Sequence, residues 1–121
     1  MRSTGSHYEQ LACTHLERAG LVLIERNFNC RHGELDLVMR DRDVIVFVEV
    51  RYRRGGARSG FGDGIDSVGA AKRAKLVRAA GAWLARHPRE ARLACRFDVV
   101  AVDGEDDAAS LDWRAGAFDA A

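Results

Sequence analysis

The amino-acid sequence predicts an α/β domain, and three features carry the prediction. Gly33 to Tyr52 holds two apolar-rich runs parted by Asp41-Arg42-Asp43, the signature of a β-hairpin. Leu76, Val77, Ala80, Trp83 and Leu84 recur at helical spacing. Ala94 to Val102 is again strand-like, and a helix set between strands usually marks a right-handed crossover to a parallel neighbour. With 121 residues, the chain fits one domain, 1–121, large enough to bury a single core.

The elements follow in order. Ser6-His7-Tyr8-Glu9 reads as a capping box opening a helix, with Leu11, Ala12, Leu16 and Ala19 at helical spacing and Gly20 as its stop. Leu21 to Ile24 suits a short strand, and Asn27 to His32 a turn or loop leading out of it. In the hairpin, Leu35, Leu37 and Met39 share one face of the first strand, and Val44, Val46, Val48 and Val50 share one face of the second. Pairing these two sets fixes the register, because a slip of one residue would bury charges. The opposite face then carries Val38, Ile45 and Phe47 near the turn, and Glu34, Asp36, Glu49 and Arg51 at the far end. Hydrophobic patterning alone thus gathers three carboxylates and a guanidinium.

Arg53 to Asp66 holds five glycines among basic residues, which predicts a mobile loop. Ser67 is placed to cap the long helix, which runs to His87 and stops at Pro88. After the strand at Ala94 to Val102 and an acidic linker, Leu111 to Trp113 predicts an edge strand, and Ala117-Phe118 a last packing contact.

A chain 47% hydrophobic and 31% charged has the composition of an ordinary globular protein. No apolar run approaches the roughly 18–20 residues of a membrane span, and the polar N-terminus does not read as a signal peptide. The expected location is cytoplasmic, with no membrane partner. Cys13, Cys30 and Cys95 are odd in number and widely spaced, against a disulfide framework. The net charge of +1 does not announce a nucleic-acid binder, but the charge is uneven. Arg51, Arg53, Arg54, Arg58, Lys72, Arg73, Lys75 and Arg78 crowd the middle, whereas Asp103, Glu105, Asp106, Asp107 and Asp112 lie in the tail. Such a distribution creates a local positive face.

Asp36 and Glu49 stand on adjacent strands, where opposed residues lie about 5 Å apart. Like charges so placed destabilise a sheet unless compensated. A hard divalent cation compensates them, since Mg²⁺ needs only one or two carboxylates beside waters and substrate phosphates. Pairing with Arg51, Arg53 or Arg31 at a solvated sheet end compensates them as well. The residues by themselves leave both readings open.

Gly33-Glu34-Leu35-Asp36-Leu37, Phe47-Val48-Glu49-Val50-Arg51-Tyr52-Arg53 and Arg96-Phe97-Asp98-Val99-Val100 resemble, in order and spacing, the signature segments of the YraN-like family. The likeness covers nearly the whole chain, from Gly5, Glu9 and Ala12 to Ala117-Phe118. That family is grouped with the PD-(D/E)xK nuclease superfamily, near the Holliday-junction resolvases. The resemblance implies a restriction-endonuclease-like core, a central mixed β-sheet flanked by helices. It also implies a metal-dependent endonuclease acting on nucleic-acid phosphodiester bonds with one or two Mg²⁺ or Mn²⁺ ions. Asp36 matches the motif aspartate and Glu49 the glutamate, the Val50 carbonyl would be a further metal ligand, and Arg51 stands where the superfamily has lysine. Glu9 matches an acidic residue that resolvase-like members bring to the metal, and it serves equally as a plain capping-box glutamate. Glu34 is either a supporting carboxylate or a strand-end charge.

Arg51 is the departure. A buried lysine can lose its proton, whereas arginine stays charged, yet arginine still stabilises a developing phosphate charge. Lys72, one turn before Leu76, either leans toward the sheet to supply the missing lysine or stands in solvent. Arg53, Arg54 and Arg58 suit contacts to a phosphate backbone. The expected partner is therefore nucleic acid, DNA foremost, with a homodimer left open. The rival reading is a non-catalytic nucleic-acid-binding or adaptor protein that retains the nuclease fold. Two lesser signals are set aside. Cys13 and His15 are two residues apart and diverge on a helix, which argues against a zinc site with Cys30 and His32. Gly55 to Gly64 lacks the lysine and hydroxyl of a P-loop.

Overall fold

A computed structural model describes residues 4–53, 68–104 and 108–120. The elements are α1 (Thr4–Arg18), β1 (Val22–Cys30), β2 (Gly33–Asp41), β3 (Val44–Arg53), α2 (Ala70–Ala85), β4 (Ala94–Asp103) and β5 (Ser110–Phe118), with one 3-10 turn at Glu90–Arg92. The basic loop with Arg54 and Arg58, the capping Ser67 and the acidic Glu105 to Asp107 lie outside the described residues.

The strands form one five-stranded sheet in the order β1-β2-β3-β4-β5. All neighbours are antiparallel except β3 and β4, which run parallel. That parallel pair is joined through α2, as expected of a helical crossover. β3 is the centre of the sheet, and its Ile45, Val46, Phe47 and Val48 are all buried. A strand covered on both faces reads as a continuous apolar run rather than an alternating one.

The helices lie on opposite faces. Tyr8, Ala12, Cys13 and Leu16 of α1 pack against Leu37, Met39, Val46, Val48, Val100 and Val102. Leu76, Ala79, Ala80 and Trp83 of α2 pack against Phe28, Val38, Ile45, Phe47, Phe97 and Val99. Trp83 is fully buried, and its indole N–H donates to Glu25 of β1 at 2.9 Å. On the far side Phe118 stacks on Phe97 with ring centroids 4.9 Å apart, closing the core at β5.

Several expectations need correction. Helix α1 begins at Thr4, so Ser6 lies within it rather than ahead of it. A cap is worth only about 1 kcal/mol, too little to fix a helix start by itself. The segment from Asn27 to His32 is mostly strand, not loop: β1 continues to Cys30. Asn27 holds φ at +54° inside that strand, a conformation Asn tolerates better than most residues. Its turn-forming character was legible, but it produces a kink. β5 also extends beyond Leu111 to Trp113.

The kink overturns one part of the hairpin register. Leu37 and Met39 do share the α1 face with Val46 and Val48, but Leu35 packs on the α2 face with Phe28 and Phe47. Alternation in β1 and β2 breaks between the pairs Arg26–Leu37 and Phe28–Leu35, across which Asn27 and Asp36 lie. The last β2–β3 pair is Leu37–Val48. Patterning predicts facing only while the ladder continues, and the β2–β3 ladder ends at Leu37.

Candidate functional site

The end of the β2–β3 ladder is where the predicted acidic residues meet. Beyond Leu37 no β2 carbonyl is paired with β3, and the backbone N–H of Val50 donates instead to Asp36 Oδ2 at 2.8 Å. A residue in a strand directs its N–H and C=O to the same flank, so the Val50 carbonyl lies on the side of β3 that faces Asp36. The kink therefore replaces one ladder hydrogen bond with a carboxylate.

Around Asp36 the charges are mostly of one sign. Burial, followed by the neighbouring Glu49 carboxylate, pushes the Asp36 carboxyl up to about 8, against the lowering effect of the Val50 N–H. Asp36 is within hydrogen-bonding reach of both Glu49 and Glu9. Glu9 is itself raised, by burial first and then by Glu34, with Arg26 acting in the opposite direction. Two carboxylates that share a site cannot both ionise freely, so a proton or a cation must be held between them.

Glu49 is 5% exposed and meets two cations. Its Oε2 lies 3.3 Å from Arg51 Nη1 and 3.5 Å from Lys72 Nζ. Arg51 reaches it along β3, because residues two apart share a face. Lys72 reaches it from the first turn of α2, whose docking against β2 turns that side chain toward the sheet.

The structure thus brings Glu9, Asp36, Glu49, Arg51, Lys72 and the Val50 backbone to one place. Glu9 stands beside Asp36. Glu34 is exposed and stands at the margin. Arg53 ends β3, and Arg54 and Arg58 fall outside the described residues. Arg26 was not anticipated. It lies in β1 between the strand expected at Leu21 to Ile24 and the turn expected at Asn27 to His32, and its Nη2 lies 4.0 Å from Cys13 Sγ on α1. No set of three or more His, Cys, Asp or Glu side chains among the described residues is disposed to hold a metal. The side chains offer at most a pair of carboxylates at a time, Glu9 with Asp36 or Asp36 with Glu49. Such a pair, with a backbone carbonyl, is an all-oxygen donor set that fits Mg²⁺ or Mn²⁺, which complete their shell with water and phosphate oxygens.

A second buried acid went unassigned in the sequence. Asp98 on β4 is completely buried. It accepts from Arg96 Nε at 3.0 Å and Nη2 at 3.2 Å, from Trp113 Nε1 at 2.9 Å and from the Gly116 backbone at 2.9 Å. Arg96 also reaches Asp41 at 3.1 Å. The legible signal was a lone aspartate inside the apolar run Phe97 to Val102.

These features define an α/β protein whose five-stranded mixed sheet, flanked by two helices, is compatible with a restriction-endonuclease-like core. Its charged site lies where the central hairpin splays. The chain belongs to the family described as "Uncharacterised protein family UPF0102", whose profile matches residues 8–102. This is the YraN-like family that the three motif segments resemble. A UPF0102 protein of Ectopseudomonas mendocina is 54% identical over 116 residues, covering 96% of this chain and 94% of that relative. One of Nitrosococcus oceani is 48% identical over 117 residues, covering 97% and 92%. A third, of Stutzerimonas stutzeri, is 48% identical over 118 residues, covering 98% and 96%. No helix among the described residues is long and apolar enough to cross a membrane.

Proposed function

We propose that the chain is a cytoplasmic, metal-dependent endonuclease of the resolvase-like kind, hydrolysing phosphodiester bonds in nucleic acid, DNA foremost. The observation that carries this reading is the Asp36–Glu49 pair. The two carboxyls lie within hydrogen-bonding reach of each other at the end of a broken ladder, and burial and mutual repulsion raise Asp36 to about 8. Asp36, Glu49 and the Val50 carbonyl would hold Mg²⁺ or Mn²⁺, with Glu9, beside Asp36, completing a second metal shell. When bound, the metal supplies Lewis-acid polarisation of the phosphate and lowers the pKa of a coordinated water.

The remaining groups have roles that follow from their charge. Arg51 is a permanent cation that stabilises negative charge growing on the phosphate. Lys72, the only residue in this arrangement with a titratable amine, takes the position of the superfamily lysine from the opposite element. The Arg51 and Lys72 contacts to Glu49 orient that carboxylate toward Asp36.

The test is a panel of branched and linear DNAs and RNAs incubated with Mg²⁺, Mn²⁺ or EDTA. Wild type should cleave in either metal and not in EDTA, and Asp36→Asn and Glu49→Gln should abolish both cleavage and Mn²⁺ binding by calorimetry. Cleavage that persists in EDTA or in Asp36→Asn would belong to a contaminant. Metal-independent binding to nucleic acid with no cleavage would establish the non-catalytic binding reading instead.

A further inference from the structure

On the α2 side of the sheet, between the start of α2 and the end of β5, lies a recess, and its place in the strand register ties it to the carboxylate site. Glu49 pairs with Val99 across β3–β4, and Val99 pairs with Arg114 across β4–β5. Directly paired residues point to the same face, so Glu49, Val99 and Arg114 form one row on the α2 side. Two strand spacings place Arg114 about 10 Å from the Glu49 position.

A cavity of about 350 Å³ opens along that row, between the start of α2 and the end of β5. Val68, Val99 and Phe118 line it together with Arg73 and Arg114, and the described lining contains no carboxylate. A recess of about 620 Å³ shares Arg73 and Phe118 and extends the groove along α2 to Arg78, with Asp119 at its margin. Arg73 is held in place: its Nε donates to the Val68 carbonyl at 2.8 Å, and its guanidinium lies over the Phe118 ring, 5.4 Å from the centroid. Arg114 touches Asp112 at 3.5 Å, but the two side chains are 62% and 59% exposed, so this pair is weak and readily exchanged.

Rest the chain's site on nucleic acid, as proposed above, and the recess acquires an occupant. We propose that it is a subsite for one unpaired nucleotide near the scissile phosphate, with Arg73 and Arg114 on its phosphate and its base in the adjoining recess against Ala70, Ala74 and Val77 of α2. Size and charge both support this. The smaller cavity lies at the low end of the roughly 300–1,000 Å³ range of small-ligand sites, the size of one nucleotide and not of a duplex. Two guanidiniums beside the accessible apolar side chains of Ala70, Ala74 and Val77 match an anionic, π-faced ligand, and arginine binds phosphate through a planar fork of donors. The substrate class that follows is nucleic acid with unpaired residues beside the cleavage point, such as a flap or a branch, rather than an uninterrupted duplex.

The measurement is fluorescence anisotropy of the full chain in EDTA, over a series of salt concentrations. The probes are a labelled single strand, the blunt duplex of that sequence and the same duplex carrying a flap. Wild type should bind the single strand and the flap about tenfold more tightly than the blunt duplex, about 1.4 kcal/mol. Arg114→Ala should remove most of that preference and reduce the single-strand salt slope by about 0.7, the loss of one phosphate contact. Arg114→Lys should keep part of the preference. Because Arg114 is exposed, its replacement leaves the fold intact, whereas Arg73→Ala also disturbs Phe118 and serves as a second variant. The inference is overturned if wild type shows no preference, binds none of the probes, or if Arg114→Ala weakens all three equally or not at all. An Arg114-dependent preference without metal-dependent cleavage would support the subsite and sink the endonuclease reading. Cleavage without any Arg114 effect would do the reverse.

Discussion

Two acidic centres sit within this small sheet, and they are built on opposite principles. Asp98 is wholly buried yet fully provided for: the fork of Arg96, an indole N–H and a backbone N–H all aim at its two oxygens. The hydrogen bond to Asp98 is also the main reason Arg96 is raised above the ordinary arginine range. Asp36 receives a single backbone N–H and faces other carboxylates, with burial the largest cause of its elevated value of about 8. Buried charge that is satisfied from all sides joins β4 to β5 and has no spare valence. Half-buried charge that remains in conflict has a use for a proton or a cation, and strongly perturbed acids gather at functional sites for that reason. The contrast separates a structural acid from a candidate catalytic one within a single protein.

The largest expected effect lies on the satisfied side. Asp98→Ala leaves Arg96, Trp113 and the Gly116 N–H without their acceptor and should cost about 3–5 kcal/mol in urea unfolding, the usual penalty for breaking a buried pair from one side. A loss under 1 kcal/mol would mean that water enters and that the two centres differ less than their geometry indicates. On the conflicted side, Arg51→Ala should slow single-turnover cleavage of a branched substrate by roughly 10²–10³, the scale for one lost stabilising donor. Arg51→Lys, which keeps the charge, should stay within about tenfold of wild type, about 1.4 kcal/mol of barrier. If Lys72→Ala proves far more damaging than Arg51→Ala, the amine on α2 is the main phosphate-stabilising group.

Proton linkage gives the comparison a third test. The folded chain holds the Asp36 proton up to about pH 8, whereas the unfolded carboxyl releases it near 3.8. Between those values the folded state binds more protons, so this group makes stability fall as pH rises. Asp36→Asn should therefore stabilise the metal-free protein, with a gain in melting temperature that grows from about pH 4 and levels off above about pH 8. A pH-independent difference between wild type and Asp36→Asn would remove the electrostatic conflict from the account. The smallest effect is expected at the kink: Asn27→Val should cost about 1–2 kcal/mol for its left-handed backbone, while Asn27→Gly should be nearly neutral. Equal stabilities for the two variants would show that the strand relaxes and the kink is not imposed by Asn27.

Local pattern carried far in this chain. The hairpin turn, the pairing of Leu37 and Met39 with Val46 and Val48, the α2 stripe and the strand after it all follow from apolar periodicity, because period and burial are consequences of one geometry. The nearness of Asp36 to Glu49 was legible for the same reason, since the register that buries the valines leaves the acids together. Leu35 escaped that logic because an αL residue on the neighbouring strand, Asn27, reverses the facing where the ladder ends. Lys72 and Glu9 escaped it too. Each is one helical residue with an ordinary solvated alternative, and only the docking of α1 and α2 on opposite faces brings both to the splayed end of β2 and β3. Arg114 belongs with them, since its row with Glu49 exists only through a parallel pairing across a crossover and an antiparallel pairing beyond it. The sequence by itself determined which residues lie on which local face, because that depends on neighbours two to four positions away. The tertiary structure decided which distant faces meet, because long-range strand order and helix docking are set by the burial of the whole core and not by any one segment of it.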